Sequence, residues 1–229
     1  MSDEITKSLI KKMFEKQDEL NIHTNGPDWK TNKDLRWYRA IWTELAELID
    51  YTDWKWWKKQ DVSLKDIEME LIDIWHFAMS DMMSWTSISI DNCVENTFLA
   101  FKDIFQNLAG IDLTNVRDET ETLAFSTLRD HRFHLEAFID LCSTLNMNID
   151  KIYKLYMGKN ILNKFRQDMG YKEKKYQKIW MDTLEDNIYL MKFLEETDVT
   201  EPDFETIIYG RLKTTYFILF PQNCYNIKE

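Results

Sequence analysis

Two stretches decide the fold, and the first of them is WYRAIWTELAELIDY at residues 37–51. Its apolar residues recur every three or four positions, which is the spacing of one face of an α-helix. The second stretch, IEMELIDIWHFA at residues 67–78, repeats the pattern. Both predict amphipathic helices, and Ser63 followed by Asp66 predicts an N-terminal cap for the second. The apolar stripes are Trp37, Ile41, Leu45 and Leu48 in the first stretch, and Ile67, Leu71, Ile74 and Ala78 in the second.

The composition favours helices along the whole chain. The 229 residues include only five Gly and three Pro, while 44% are hydrophobic and 14% aromatic. So few turn residues argue against an all-β protein, and the absence of GxGxxG and GxxxxGK[ST] motifs excludes Rossmann and P-loop enzymes. We therefore predict an all-α protein. Besides the two stretches above, helical runs are expected at 2–21 and at about 93–108, 122–145, 148–166 and 184–197.

The charge balance narrows the range of partners. The chain has 29 Lys and Arg against 40 Asp and Glu, a formal net charge of −11. An acidic protein repels polymeric DNA and RNA, but a divalent metal can still bridge its carboxylates to a small nucleotide. The three cysteines form no CxxC motif, and no apolar run reaches the roughly 18 residues that would cross a bilayer. These features predict a cytoplasmic protein without a membrane partner.

Four acidic residues fall on the apolar faces of the two deciding helices. Glu44 and Glu47 are three residues apart, as are Glu70 and Asp73, so each pair shares one helix face. Bringing ionised carboxylates towards a core costs several kcal/mol each unless a cation compensates. Carboxylate oxygens select hard metals, which predicts Mg²⁺ first and Mn²⁺ as the alternative.

Other interpretations of these acids stay open at this point. Solvated helix faces often carry such pairs, and Arg36, Arg39 or Lys65 could compensate their charge within the protein. A di-iron bundle would need Glu-x-x-His twice, whereas this chain has only Asp73-x-x-His76.

Two further segments combine positive charge with aromatic or amide side chains. Residues 51–59 read YTDWKWWKK, so aromatic rings could stack on a base and lysines could meet phosphate oxygens. Alternatively, this is a helix end whose tryptophans pack on neighbouring residues. Lys159, Asn163 and Arg166 share one face of a predicted helix and could bind a polyanion, although a solvated basic face has the same spacing.

Together these motifs resemble the dimeric dUTPases, which are all-α enzymes of the nucleoside-triphosphate pyrophosphatase superfamily. The resemblance covers about residues 14–187 and is most specific in the block from Gly158 to Lys172. It rests on Glu44-Leu-Ala-Glu47, Trp54-Lys55-x-Trp57-Lys58, Glu70-x-x-Asp73-Ile-Trp-His76-Phe77 and Gly158-Lys159-Asn160-x-Leu-Asn163-x-Phe-Arg166-Gln167-x-x-Gly170-Tyr171-Lys172.

The resemblance implies a fold, a reaction and an assembly. The fold would be a helical bundle in one domain over 1–229, with a rigid metal-binding part at about 1–110. A mobile phosphate-binding lid would follow at about 111–229. The reaction would be hydrolysis of dUTP and dUDP to dUMP by attack of water on a phosphate, and the protein would be a homodimer. A pyrophosphatase specific for dCTP or a modified nucleotide is the alternative, and a non-enzymatic helical protein is a further one.

The resemblance also implies roles for individual residues. Two or three Mg²⁺ ions would be bound by Glu44, Glu47, Glu70 and Asp73, and Glu47 would act as the base. The nucleoside would contact Gln17, Asn21, Trp54, His76, Phe77 and Asn187, with Asp18 as the alternative to Gln17. The phosphates would contact Lys55, Lys58, Lys159, Asn163, Arg166, Tyr171 and Lys178.

One departure from the family pattern concerns the segment before Tyr176. A glycine is expected there, and the chain has Glu173-Lys174-Lys175 instead. Residues 80–147 and 190–229 match no motif and are assigned to packing, dimerisation or the lid.

Overall fold

The computed structural model of the chain describes residues 2–85, 88–102 and 110–226. Within these ranges the chain is helical, and the only strand-like feature is an isolated bridge between Ile179 and Glu185. The prediction of an all-α protein is therefore confirmed. The helices are α1 (Asp3–Asn25), α2 (Trp37–Asp50), α3 (Leu64–Met83), α4 (Ile90–Lys102), α5 (Leu113–Asp130), α6 (Leu135–Thr144), α7 (Ile149–Asp168), α8 (Asp186–Glu195) and α9 (Phe204–Leu219).

The chain divides into two compact units, Met1–Tyr153 and Lys154–Glu229. The division falls within α7, and the predicted boundary at about residue 110 between a metal-binding part and a lid is not tested by it. In the first unit, α3 is buried along most of its length and packs against α1, α2 and α4. In the second unit, α8 packs against α9. The lid role of residues 111–229 stays a prediction.

The start of α3 follows the predicted capping pattern. The Ser63 hydroxyl oxygen accepts a hydrogen bond from the backbone N–H of Asp66 at 3.3 Å, which confirms the cap. This bond satisfies one of the amide groups that a helix leaves without a partner at its N-terminus. Helix α3, which carries the predicted metal ligands Glu70 and Asp73, thus has a well-defined first turn.

The predicted run at 122–145 is wrong as a single helix. Helix α5 ends at Asp130 and α6 begins at Leu135. His131 adopts a positive φ of 52°, and its ring stacks on Tyr38 of α2 with centroids 4.5 Å apart. Because neither Gly nor Pro marks the break, the local sequence did not reveal it. The run at 93–108 corresponds to α4, and its residues 103–108 lie outside the described ranges.

Helix α9 was not anticipated. Its buried residues Phe204, Ile208, Leu212 and Tyr216 recur every four positions, so a helical pattern was present in the sequence. Among the residues that the structure describes, no helix is long and apolar enough to span a membrane.

Candidate active site

Three of the four predicted metal ligands form one group in the first unit. Glu44 and Glu47 lie one turn apart on α2, and Glu70 lies on the adjacent α3. Each offers a carboxylate oxygen, and these oxygen atoms all lie within 4.8 Å of one another. Glu70 is buried, Glu44 is half-buried and Glu47 is exposed. The group therefore has a buried side and one member that water can reach.

The electrostatics of this group favour a bound cation. Two unit charges at this separation repel by on the order of 3 kcal/mol in a medium of intermediate dielectric. Several oxygen ligands close together are what Mg²⁺ and Mn²⁺ prefer, so the residues present fit a hard divalent cation. Asp73 is half-buried one turn further along α3 and lies outside the three-residue group.

The arginines considered as internal compensation lie at the start of α2. Arg36 occupies the N-cap position, and its side chain does not form a capping hydrogen bond. The Arg39 Nε atom donates a hydrogen bond to the hydroxyl of Tyr38 at 3.2 Å, and its guanidinium lies 5.7 Å from that ring. Arg39 therefore uses part of its hydrogen-bonding capacity on a neighbouring tyrosine.

A buried polar network joins α1 to α3 in the same unit. It contains Gln17 and Asn21 from α1 and His76 and Ser80 from α3, all of them buried. Gln17 Oε1 lies 2.7 Å from His76 Nδ1. The Gln17 and Asn21 amide nitrogens donate to the Ser80 hydroxyl oxygen at 3.1 and 2.9 Å. Three of these four residues were predicted to contact the nucleoside, and the structure brings them together with Ser80, which sequence reasoning missed.

The structure also separates Gln17 from its alternative, Asp18. Asp18 accepts a hydrogen bond from the indole N–H of Trp29 at 2.9 Å and forms an ion pair with Lys30 at 3.1 Å. Gln17 therefore faces the buried network, and Asp18 faces the short helical turn at 29–31. Phe77 follows His76 on α3 and is half-buried, with its ring 6.3 Å from that of Trp37.

The aromatic segment after α2 is organised by Asp50. The Trp54 indole N–H donates to an Asp50 carboxylate oxygen at 3.0 Å, and the Lys55 ammonium lies 2.8 Å from that carboxylate. The hydrogen bonds from Lys55 and Trp54 hold the pKa of Asp50 below its usual range. Trp54 and Lys58 are exposed. Lys55, predicted to bind phosphate, thus has a carboxylate partner in the last residue of α2.

In the second unit, Arg166 makes a fork-shaped ion pair with Asp186. Its Nε and terminal nitrogen atoms donate to the two carboxylate oxygens at 2.8 and 2.7 Å. The Tyr176 hydroxyl donates to the same carboxylate at 2.7 Å, and burial together with the nearby negative charge raises the pKa of Tyr176. Asp186 is completely buried. Sequence reasoning missed this residue, although it directly precedes the predicted Asn187.

The other predicted phosphate-binding residues of this unit differ in accessibility. Lys159 is 2% exposed and donates to the side-chain amide oxygen of Asn187, Oδ1, at 3.0 Å. Arg166 donates to Asn163 at 3.2 Å, which orients that side chain. Lys178 is exposed and lies 2.9 Å from Glu185, and Tyr171 is also exposed. Lys178 and Tyr171 are therefore accessible to a ligand, while Lys159 and Arg166 hold neighbouring side chains in place.

The turn that departs from the family pattern contains a strained lysine. Lys174 has a φ of 57°, the left-handed conformation that favours glycine. The turn is closed by the backbone N–H of Lys175, which donates to the carbonyl of Gly170 at 3.0 Å. The conformation for which a glycine was expected thus forms here with a lysine.

Comparison with known proteins agrees with the fold and the motifs. A family model described as dUTPase matches residues 9–171, more than two thirds of the chain. The match includes the carboxylate group and the network around Ser80, and it ends before Lys178 and Asn187. No match was found among curated proteins. Because the family match covers most of an all-helical chain, the protein belongs to the dUTPase family and is a dUTP diphosphatase.

Proposed function

We propose that this enzyme uses Mg²⁺, with Mn²⁺ as the alternative, to hydrolyse both dUTP and dUDP to dUMP. The observation that carries the proposal is the group of Glu44, Glu47 and Glu70, whose oxygen atoms lie within 4.8 Å of one another. Asp73 is proposed as a fourth ligand from the next turn of α3. This donor set contains only carboxylates, whereas a zinc site would include His or Cys.

The chain's own residues would share the chemical work at this group. A bound Mg²⁺ would neutralise phosphate charge and make a nearby water molecule easier to deprotonate. Glu47 is the exposed member of the group, so its carboxylate can accept the proton of an attacking water. Attack on the β-phosphorus would release dUMP and pyrophosphate from dUTP, and dUMP and phosphate from dUDP. The same residues would therefore serve both substrates.

The buried network on α1 and α3 would hold the nucleoside. Glu70 and His76 are six residues apart on α3, about 9 Å of helix rise, which leaves room for phosphates at one end and a sugar at the other. Gln17 and Asn21 would face the edge of uracil, and Phe77 would exclude a ribose 2′-hydroxyl. A site that hydrogen-bonds a specific edge rejects analogues more strongly than an apolar pocket does.

The accessible and buried cations of the second unit would have different roles. Lys178 and Tyr171 are exposed and are proposed to contact phosphate oxygens directly. Lys159 and Arg166 are buried and donate to amide oxygens of Asn187 and Asn163, so they would position those amides. Lys55 and Lys58 of the first unit remain proposed phosphate contacts.

A substrate panel tests the proposal. Pyrophosphate release in the presence of Mg²⁺ is measured with dUTP, dCTP, dTTP, dATP, dGTP and UTP, and phosphate release with dUDP. We expect turnover of dUTP and dUDP and rejection of UTP. Activity spread over several bases would instead favour a pyrophosphatase of broader specificity. Equal rates with EDTA and with Mg²⁺ would contradict the metal proposal.

A homodimer is proposed from the family resemblance. Sedimentation of the full chain at several concentrations measures the assembly directly. A single species with the mass of one chain, 27.7 kDa, would contradict the homodimer.

A further inference from the structure

The Ser80 hydroxyl lies at the centre of the buried network. Ser80 is completely buried on α3, one turn after His76. Its hydroxyl donates to the His76 backbone carbonyl at 2.9 Å. The same oxygen accepts hydrogen bonds from Gln17 Nε2 at 3.1 Å and from Asn21 Nδ2 at 2.9 Å. One side chain is thus in contact with both amides that are proposed to read the base.

The number of hydrogens on Ser80 fixes the orientation of these amides. A hydroxyl has two lone pairs but only one hydrogen, so it can accept from two N–H groups yet cannot donate to two carbonyl oxygens. Gln17 Nε2 also donates to Asn21 Oδ1 at 3.3 Å, so the two amides must reverse together to avoid placing two oxygens or two NH2 groups against each other. The reversed arrangement would leave two amide oxygens facing Ser80, whose single hydrogen is already donated to the His76 carbonyl. Such a buried polar mismatch costs about 1–3 kcal/mol.

The same arrangement determines which nitrogen of His76 carries a proton. With both amide nitrogens directed at Ser80, Gln17 presents its oxygen to His76 Nδ1 at 2.7 Å. A carbonyl oxygen only accepts hydrogen bonds, so Nδ1 must carry the hydrogen. In the neutral imidazole, Nε2 is then an acceptor. Ser80 therefore sets the tautomer of His76 through Gln17, although it does not touch either imidazole nitrogen.

We propose that Ser80 is a specificity-determining residue that makes the site select uracil over cytosine. This inference rests on the proposed roles of Gln17 and Asn21 in reading the base. Uracil has a hydrogen on N3 and an acceptor at O4, whereas cytosine has a lone pair on N3 and hydrogens on N4. An amide that places its oxygen opposite N3 accepts from uracil and repels cytosine, and the reversed amide does the opposite.

Asn21 is the side chain that would present the selected amide orientation to the base. Its contacts with described residues use one of its two amide hydrogens and one oxygen lone pair. The second lone pair of its oxygen can accept from the N3–H of uracil, whereas the reversed amide would present a hydrogen at that position. Because Ser80 holds the amide in one orientation, the position that can accept from N3–H is fixed before the nucleotide binds.

The proposal is tested by the ratio of kcat/KM for dUTP to that for dCTP. In Ser80→Ala the hydroxyl is gone and either amide orientation can form, so we expect this ratio to fall at least tenfold. Part of the change should be a gain in absolute kcat/KM for dCTP. The matched control is Thr120→Val, which removes another completely buried helical hydroxyl that donates to the carbonyl four residues before it. The control should keep the wild-type ratio.

The ¹⁵N NMR spectrum of His76 gives a second readout that needs no turnover. In the wild-type chain at a pH where His76 is neutral, we expect hydrogen on Nδ1, and in Ser80→Ala a mixture of tautomers. A wild-type histidine with hydrogen on Nε2 would overturn the inference even if the variant failed to fold. An unchanged dUTP-to-dCTP ratio in folded Ser80→Ala would also overturn it. A wild-type enzyme that shows no preference for dUTP would instead contradict the proposed base-reading roles, while the NMR result would still report on Ser80.

Discussion

The two units of this protein arrange their carboxylates in different ways. In the second unit, the completely buried Asp186 receives charged hydrogen bonds from Arg166 and a further bond from Tyr176. In the first unit, Glu44, Glu47 and Glu70 bring three carboxylates together from two helices. A carboxylate paired with a fixed guanidinium stabilises one arrangement of the chain, whereas carboxylates gathered within 4.8 Å repel one another unless a cation binds.

The largest expected effect is at Asp186. Asp186→Asn removes the negative charge and leaves the guanidinium of Arg166 buried without its counter-charge. Breaking one partner of a buried ion pair costs about 3–5 kcal/mol, which urea unfolding at neutral pH would measure. The matched control is Glu185→Gln, because the Glu185–Lys178 pair is about two-fifths exposed on both sides. We expect the control to lose less than about 1 kcal/mol. Equal losses in the two variants would remove the contrast between a structural and a surface pair.

The next effect concerns the carboxylate group. Glu70→Gln removes one ligand charge with little change in volume, so turnover of dUTP should fall at least 100-fold, about 2.7 kcal/mol in the barrier. Without metal, the variant should be as stable as the wild type or more stable, because repulsion within the group is reduced. Thermal unfolding with and without Mg²⁺ measures both states.

A control on the same helix is Glu68→Gln. Glu68 forms an ion pair with Lys151. This variant should keep both turnover and the rise in Tm that Mg²⁺ causes. If Mg²⁺ raised the Tm of Glu70→Gln as much as that of the wild type, Glu70 would not be a metal ligand. The carboxylate group would then not differ from Asp186 in the way proposed.

Asp81 provides a third kind of buried carboxylate. It is 6% exposed, accepts the Phe133 backbone N–H at 2.9 Å, and burial raises its pKa. A carboxyl with a raised pKa in the folded state loses stabilising free energy as the pH rises from the unfolded pKa through the folded pKa. Asp81→Asn keeps an acceptor for the N–H without a charge. The Tm of the variant relative to wild type should therefore increase as the pH rises from about 4 to 7. A difference in Tm that is constant over this range would contradict a raised pKa for Asp81.

The smallest effect is at Lys174. Its φ of 57° is unfavourable for a residue with a Cβ atom, so Lys174→Gly should stabilise the protein by up to about 1 kcal/mol. The greater freedom of glycine in the unfolded chain offsets part of this gain. Lys175→Gly is the control, since Lys175 is not among the residues with positive φ, and it should destabilise the protein. Urea unfolding of both variants measures the difference, and a loss of stability in Lys174→Gly would contradict strain at this position.

The parts of the site that could be predicted are those formed by residues close together in the sequence. The Glu44–Glu47 and Glu70–Asp73 spacings and the Ser63 cap each involve residues three positions apart, so helical geometry alone relates them. The break at His131 was missed because a stacking contact with Tyr38, more than 90 residues away in sequence, accompanies it. Local preferences cannot indicate such a contact.

The sequence by itself determined the all-α class, the family and the helix faces that carry the acids. Periodicity and short motifs are properties of neighbouring residues, and they survive any arrangement of the helices. Only the tertiary structure decided that Asp186 pairs with Arg166, 20 residues away, and that Gln17 faces Ser80, 63 residues away. These contacts depend on which helices pack together and in which register, and no spacing along a single helix specifies either.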